Sequence, residues 1–381
     1  MNVIRINKLY LHDFLFYSGF TALLINKFGK IISMTETSPL SSNAIYFLGI
    51  ALLILSTLLS EFTIWDILLT AYGFSSFVTG FDTLLLSFLV LLIAVRNMDI
   101  EKVTAFYAYF QAVILGACTG LYFVLLAAGS SYASLSVIAG RVRCNFLFSH
   151  PNNYAVQVVF TLLAYLYVKR KVLPYWMTNV ILSVTAVFLY VFPNSKTAVV
   201  TVLVYMGCRF LVRYARILWK PFIRVILPAT AVIVVIFVFL FYTGHASVIS
   251  NYIADTFEAR FSGAATAFRM YNVNLFGHEL EELGETVYVN GEWSIFWLDL
   301  AYIRILFTFG IVGTVVFFVP LFKAVGRYIR EKNYIVLSLL AVAIVYGISE
   351  WTAFSITTVF PLLFLSIPLK EKKTVFKVTW R

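Results

Sequence analysis

The sequence predicts an all-α, polytopic integral membrane protein with about 12 transmembrane helices and one large extracytoplasmic loop. Three observations predict it. Of 381 residues, 61% are hydrophobic and 12% charged, with a mean hydropathy of +0.90, whereas soluble domains sit near half apolar and a quarter charged. The apolar residues gather into stretches close to the length that crosses a bilayer, about 20 residues. Lysine and arginine divide unevenly between alternate connecting segments. Together these exclude a soluble enzyme, a disordered chain and a secreted disulfide scaffold.

The candidate spans are 9–26, 42–60, 62–80, 81–95, 103–128, 151–168, 174–192, 197–212, 222–243, 299–321, 334–349 and 353–369. The third and fourth share one apolar run, divided at Gly80-Phe81-Asp82 by a glycine and a charge. No small-residue cleavage site follows the first stretch, which reads as a retained helix. The whole chain, 1–381, reads as one polytopic domain, with 244–298 as the large outer loop inside it.

Charge sets the orientation. With the N-terminus inside, 21 of the 29 Lys and Arg residues fall on inner segments and seven on outer ones, with Arg304 inside a span. That asymmetry follows the positive-inside rule and places both termini in the cytoplasm. The net charge of +11 is therefore mostly topological and does not call for nucleic acid. Cys118, Cys144 and Cys208 are scattered, with no metal-ligand spacing and no evident disulfide. No internal repeat or pair of matching broken helices marks a secondary transporter.

Groups able to do chemistry collect on the outer face. His150, His278 and His245 lie there, with the acids of the large loop: Asp255, Glu258, Glu279, Glu281, Glu282, Glu285 and Glu292. The bland alternative is that outer loops are simply polar. The first outer segment ends in Arg141-Val142-Arg143, an apolar step, then His150-Pro151-Asn152 opening a span. Proline suits a first helical turn, and the free amides there favour anions. Arginine adds a fork matched to phosphate oxygens. The stretch is either a phosphate-receiving corner or a capped helix start with interfacial arginines. In Phe192-Pro193-Asn194-Ser195-Lys196-Thr197, ordinary turn residues carry Lys196, either a phosphate contact or an interfacial lysine.

The large loop opens with a helical stripe, Ile253, Phe257, Phe261, Ala264 and Phe268. Arg260 flanks it and Arg269 points away. The stripe is expected to lie on the membrane surface or across the mouth of the bundle. Asn274-Leu275-Phe276-Gly277-His278 reads as a glycine helix stop, and the acidic run after it as solvated surface. Asp299 and Tyr302, three apart, are expected on one face of the next helix. Arg304 lies about 140° around from Asp299 and needs a partner such as Glu350, Asp82 or Asp66.

In order, these pieces resemble the O-antigen polymerase superfamily, especially the Wzy-type polysaccharide repeat-unit polymerases of Gram-positive bacteria. The resemblance rests on Arg141 and Arg143 before Phe148-Ser149-His150-Pro151-Asn152, then Ser195-Lys196-Thr197. Ala259-Arg260-Phe261 follows, leading to Asn274-Leu275-Phe276-Gly277-His278, and Asp299-x-x-Tyr302 opens a helix. It runs from about residue 95 to the end. Ser-Lys-Thr stands where the family often has Ser-Arg-Thr, and Ala-Arg where it has Gly-Arg; lysine keeps the charge but loses the fork.

The resemblance implies an inverting, metal-independent glycosyltransferase that needs no cofactor. It would work at the outer face of the bacterial cytoplasmic membrane in capsule or exopolysaccharide assembly. Its substrate would be an undecaprenyl-diphosphate-linked oligosaccharide, and its partners the bilayer and other polysaccharide assembly proteins. Arg141, Arg143, Asn152, Lys196, Arg260, Arg269, Tyr302 and Arg304 would bind diphosphate or sugar. The general base that deprotonates the acceptor hydroxyl would come from His150, His278, Glu279 or Asp299, with His150 slightly preferred for its neighbouring arginines and for titrating near working pH. A ligase of the same superfamily would differ in its acceptor alone. A lipid-linked oligosaccharide flippase would place its cations in a central cavity between short loops, and here only Arg304 lies deep.

Overall fold

The computed structural model describes residues 8–32, 39–60, 62–80, 83–130, 133, 135–138, 141–214, 255–280, 283–289 and 292–370, with parts of 229–243. The expected span at 222–243 falls largely outside these residues, as do Asp82, His245, Glu281 and Glu282. The described chain is mainly helical: α1 (Lys8–Ile31), α2 (Pro39–Leu59), α3 (Ile64–Gly80), α4 (Thr83–Val95), α5 (Ile100–Ala127), α6 (Pro151–Val168), α7 (Tyr175–Val191), α8 (Lys196–Tyr214), α9 (Asp255–Met270), α10 (Ala301–Arg330) and α11 (Tyr334–Tyr346). Three of these, α5, α8 and α10, are long and apolar enough to cross a membrane. The division near residue 80 stands, since α3 ends at Gly80 and α4 begins at Thr83.

Two departures concern secondary structure. Two of the segments expected to be outer loops carry β-hairpins that an all-α reading leaves out: β1 (Leu135–Ile138) with β2 (Arg141–Cys144), and β3 (Thr286–Val289) with β4 (Glu292–Ile295), both antiparallel. Each pairs its own backbone locally, which supplies hydrogen-bond partners that short runs lack in an open loop. The expected span 353–369 is not an α-helix. It consists of 3-10 turns at Trp351–Phe354 and Phe360–Lys370, separated by irregular backbone.

The chain divides into two compact units. The first comprises 1–68, 89–207 and 356–381. Here α1 packs along α2, with Gly19 and Gly49 facing each other so closely that a β-carbon at Gly19 would lie 2.9 Å from the Gly49 carbonyl oxygen. Helix α5 packs against α6. Arg96 forks onto Asp66 with bonds of 2.9 and 2.7 Å, both side chains buried. An aromatic and aliphatic cluster of Phe28, Leu115, Tyr122, Phe146, Phe148 and Tyr154 fills the region under β2, and Phe146 stacks on Tyr154 at 4.2 Å.

The second unit comprises 69–88 and 208–355. Its core joins α9 to the start of α10 through Phe261, Ala264, Phe296, Leu298, Leu300 and Phe307. The apolar stripe of α9 therefore packs on protein: Phe261 and Ala264 are buried and Phe268 is partly buried against the same cluster.

Helix α10 is not the uninterrupted span that its hydropathy suggests. Its backbone breaks at Gly310, with φ 67° and ψ −169°. Breaking a helix leaves carbonyls and amides without partners, and an apolar interior tolerates that only if other groups replace them. The loop Asn274–His278 does so. The amides of Ile311 and Val312 donate to the carbonyls of Asn274 and Leu275 at 3.0 Å each, and the His278 amide donates to Phe307 O at 3.1 Å. The Tyr72 hydroxyl donates to Phe309 O at 3.3 Å. Gly277 is accordingly not the stop of α9, which ends seven residues earlier at Met270. It takes φ +77°, and a β-carbon there would lie 2.2 Å from Thr308 O. Gly277→Ala therefore combines a left-handed strain with a backbone clash and is expected to cost about 1–3 kcal/mol. A fall in the thermal unfolding midpoint of the detergent-solubilised protein would register it, and an unchanged midpoint would contradict the inserted-loop geometry.

Candidate functional site

The most concentrated arrangement of charge in the second unit surrounds Arg260. Its side chain leaves α9 on the buried side and is only 6% exposed. The guanidinium donates from Nη2 to Glu350 Oε1 at 2.9 Å, while Nε lies 3.7 Å from Asp299 Oδ2. Asp299 is the more open of the two acids, 36% exposed against 13% for Glu350. Three elements position them. Gly263, one turn after Arg260, lets the chain before α10 come close; a β-carbon there would lie 2.0 Å from Trp297 O. Asp299 sits on that segment. At the far end of α11, the Gly347 carbonyl accepts from the Ala301 amide at 3.2 Å, and Glu350 N donates to Tyr346 O at 3.1 Å. The turn that follows α11 thus holds Glu350 beside the first turn of α10.

Several expectations change here. Asp299 precedes α10, whose N-cap is Leu300, so Asp299 and Tyr302 do not share a helical face. Asp299 turns to Arg260, whereas the Tyr302 hydroxyl donates to Ile344 O on α11. Of the acids expected for Arg304, Asp82 lies outside the described residues and the two described ones pair elsewhere. Glu350 goes to Arg260 and Asp66 to Arg96, and the Arg304 guanidinium lies over the Trp351 ring at 4.1 Å, an attraction of cation to ring quadrupole. Arg269 is exposed on the opposite side of α9 and donates to Tyr242 O at 2.9 Å. The opposed facing of Arg260 and Arg269 was legible in the helical wheel. Glu350 was visible in the sequence only as a partner for Arg304, and Gly263 carried no local signal.

His278 lies beside this region, next to Tyr271, with ring centroids 4.9 Å apart. Asn274 Oδ1 accepts the Gly277 amide, which leaves its Nδ2 to donate to His278 Nδ1 at 3.3 Å. With Asn274 Nδ2 as the donor, the neutral ring carries its proton on Nε2, which is buried and has no hydrogen-bond partner among the described residues. Burial lowers the His278 pKa below its ordinary 6.5, because desolvation disfavours the imidazolium.

The first unit holds the other candidates. Arg141 and Arg143 lie on β2, opposite Ile138 and Ser136. Arg143 is buried, donating from Nε to Pro193 O at 2.8 Å and from Nη2 to Asn152 Oδ1 at 2.6 Å. It joins the hairpin, the 193 turn and the start of α6, three pieces that the sequence treats separately. His150 is the N-cap of α6 and its Nδ1 accepts the Asn152 amide at 3.1 Å. Pro151 occupies the first helical turn. Lys196 is the exposed first residue of α8, where the helix dipole disfavours a cation; helix stability does not explain it. Among the described residues, no three His, Cys, Asp or Glu side chains gather as metal ligands would.

The lowered His278 pKa has a testable consequence. Between the folded pKa and 6.5, the unfolded state binds more protons than the folded one, so stability rises with pH there. The contribution is complete above 6.5 and falls away as pH drops through that window. His278→Gln is expected to flatten this part of a thermal-stability profile; a variant profile parallel to the wild type would refute it. Set against models of protein families, curated proteins and solved structures, the chain matches none, and the functional reading rests on its own residues.

Proposed function

We propose that this protein is a membrane-embedded polymerase of undecaprenyl-diphosphate-linked oligosaccharide repeat units, serving capsular or exopolysaccharide assembly. It would act at the outer face of the bacterial cytoplasmic membrane, with both termini in the cytoplasm and about twelve spans. The observation that carries the reading is the buried Arg260 between Glu350 and Asp299, on a face that positive-inside asymmetry assigns to the exterior.

Transfer of a glycan from a lipid diphosphate requires two things of the protein. The acceptor hydroxyl must lose its proton as its oxygen bonds to the anomeric carbon, and the departing diphosphate must have its growing charge stabilised. In this reading Arg260 supplies positive charge, held in place by Glu350. Asp299 is the base. Both histidines commit the Nδ1 lone pair to local structure, His150 to the Asn152 amide and His278 to the Asn274 side chain. A neutral imidazole has one ring acceptor, so neither keeps a lone pair for a sugar hydroxyl. Asp299, partly exposed and 3.7 Å from its cation, does.

A second reading, a flippase or transporter of the same lipid-linked substrate, draws support from the broken α10, since transporters build sites at discontinuous helices. Against it, the backbone of 274–278 already occupies this break. Ligase and polymerase differ in the acceptor, and the same experiment separates all three.

Arg260→Ala is expected to lower chain extension by about 10²–10³-fold, and Asp299→Asn by about 10²–10⁴-fold. Gel profiles of the glycan should then show single lipid-linked repeats at the outer face in place of long chains. Long polymer left on its lipid carrier would identify a ligase, repeats trapped at the inner face a flippase, and normal polysaccharide would sink the assignment. Topology is checked separately. A reporter fused after Glu285 should read outside and one after Arg216 inside; the reverse pattern overturns an outer-face site.

A further inference from the structure

We propose that Lys27, in the first unit, is a binding residue for a phosphate-class anion. Lys27 lies in the last two turns of α1 and reaches into a hydrogen-bonded polar network. Its ammonium donates to Gln157 Oε1 on α6 and to Thr357 O at 2.7 Å. Gln111 Nε2 donates to the same carbonyl at 3.3 Å, Thr161 Oγ1 to Gln111 Oε1 at 3.4 Å, and the Tyr107 hydroxyl to Thr358 O. The carbonyls of Thr357 and Thr358 belong to irregular backbone, so part of this network replaces helical bonds lost there.

That need does not explain the charge. Gln111 and Tyr107 meet the same carbonyls as neutral donors, whereas an ammonium among apolar helices carries a desolvation cost that a counter-charge normally offsets. The Gln157 side-chain oxygen and the Thr357 carbonyl that accept from Lys27 are both neutral, and among the described residues no carboxylate forms an ion pair with it. Two of its three N–H groups are accounted for by these bonds. Lys27 is less deeply buried than Gln157, Gln111 and Tyr107. A lysine so placed matches a phosphate oxygen as a point charge.

Local geometry brings the end of α1 to the segment that opens α6. The Ile31 carbonyl, one turn further along the same face of α1, accepts the Ser149 amide at 2.8 Å, and Ile32 pairs with Phe148. Gln157 is five residues beyond Asn152 on α6, about 7.5 Å along the axis and about 140° around it, so Lys27 and Arg143, which donates to Asn152, reach different faces of α6. The anion site stands on these contacts alone; that its phosphate belongs to a lipid rests on the proposed function.

The test titrates the full-length protein in nanodiscs with a prenyl diphosphate and, separately, with inorganic diphosphate. Lys27→Met is expected to weaken binding at least tenfold, and Lys27→Arg to stay within threefold of wild type. Preference for the prenyl form assigns a lipid headgroup, and equal binding the free anion. Equal affinity of wild type and Lys27→Met for both probes overturns the proposal. Should Lys27→Met fail to fold, wild-type protein is acylated with an amine reagent, with and without prenyl diphosphate. Protection of Lys27 by the probe supports the site, and unchanged labelling overturns it. Prenyl diphosphate binding that needs Arg260 but not Lys27 would defeat this inference and spare the polymerase. Lys27-dependent binding in a protein whose deletion leaves polysaccharide normal would do the opposite.

Discussion

Breaking α10 at Gly310 releases amides and carbonyls inside an apolar core, and the backbone of Asn274–His278 takes them up. Much of the second unit depends on that exchange. An unpartnered peptide group away from water costs free energy on the scale of a lost hydrogen bond or more, so loop and helix hold each other in register. Glycine is required on both sides, because Gly277 and Gly310 take positive φ and lie too close for a β-carbon. The same exchange fixes the loop that carries His278 and closes the core in which Phe307, Phe296 and Phe261 meet.

Arg260 follows from this packing. Its helix is seated by Phe261 and Ala264, and Gly263 brings the Trp297 backbone against it. A guanidinium buried this far must have counter-charge, and Glu350 and Asp299 supply it from two other segments. Asp299 is the more exposed of the two acids. The network at Lys27 instead holds a cation whose hydrogen-bond acceptors are neutral.

Local pattern was enough to divide α3 from α4 near residue 80, to find α9 and to turn Arg260 inward and Arg269 outward. It did not show the hairpin that carries Arg141 and Arg143, since four-residue strands of mixed character have no periodicity to read. That 353–369 is not one continuous α-helix was not legible for a related reason: hydropathy reports how apolar a stretch is and not whether its backbone stays helical. Asp299 and Tyr302 are spaced for one helical face, yet α10 starts after Asp299, and a boundary displaced by two residues sent the side chains to different neighbours.

The sequence by itself determined that the chain is a helical, strongly apolar protein with segments apolar enough to cross a membrane, and which face of α9 is buried. Those properties are written in composition and in a repeat of 3.6 residues. Only the tertiary structure decided who meets whom. Arg260 and Glu350 are 90 residues apart, and Lys27 reaches across 130 residues to Gln157 and 330 to Thr357. Periodicity says which side of a helix avoids water; it carries no information about which distant polar group will be waiting there, because that is set by how the helices pack.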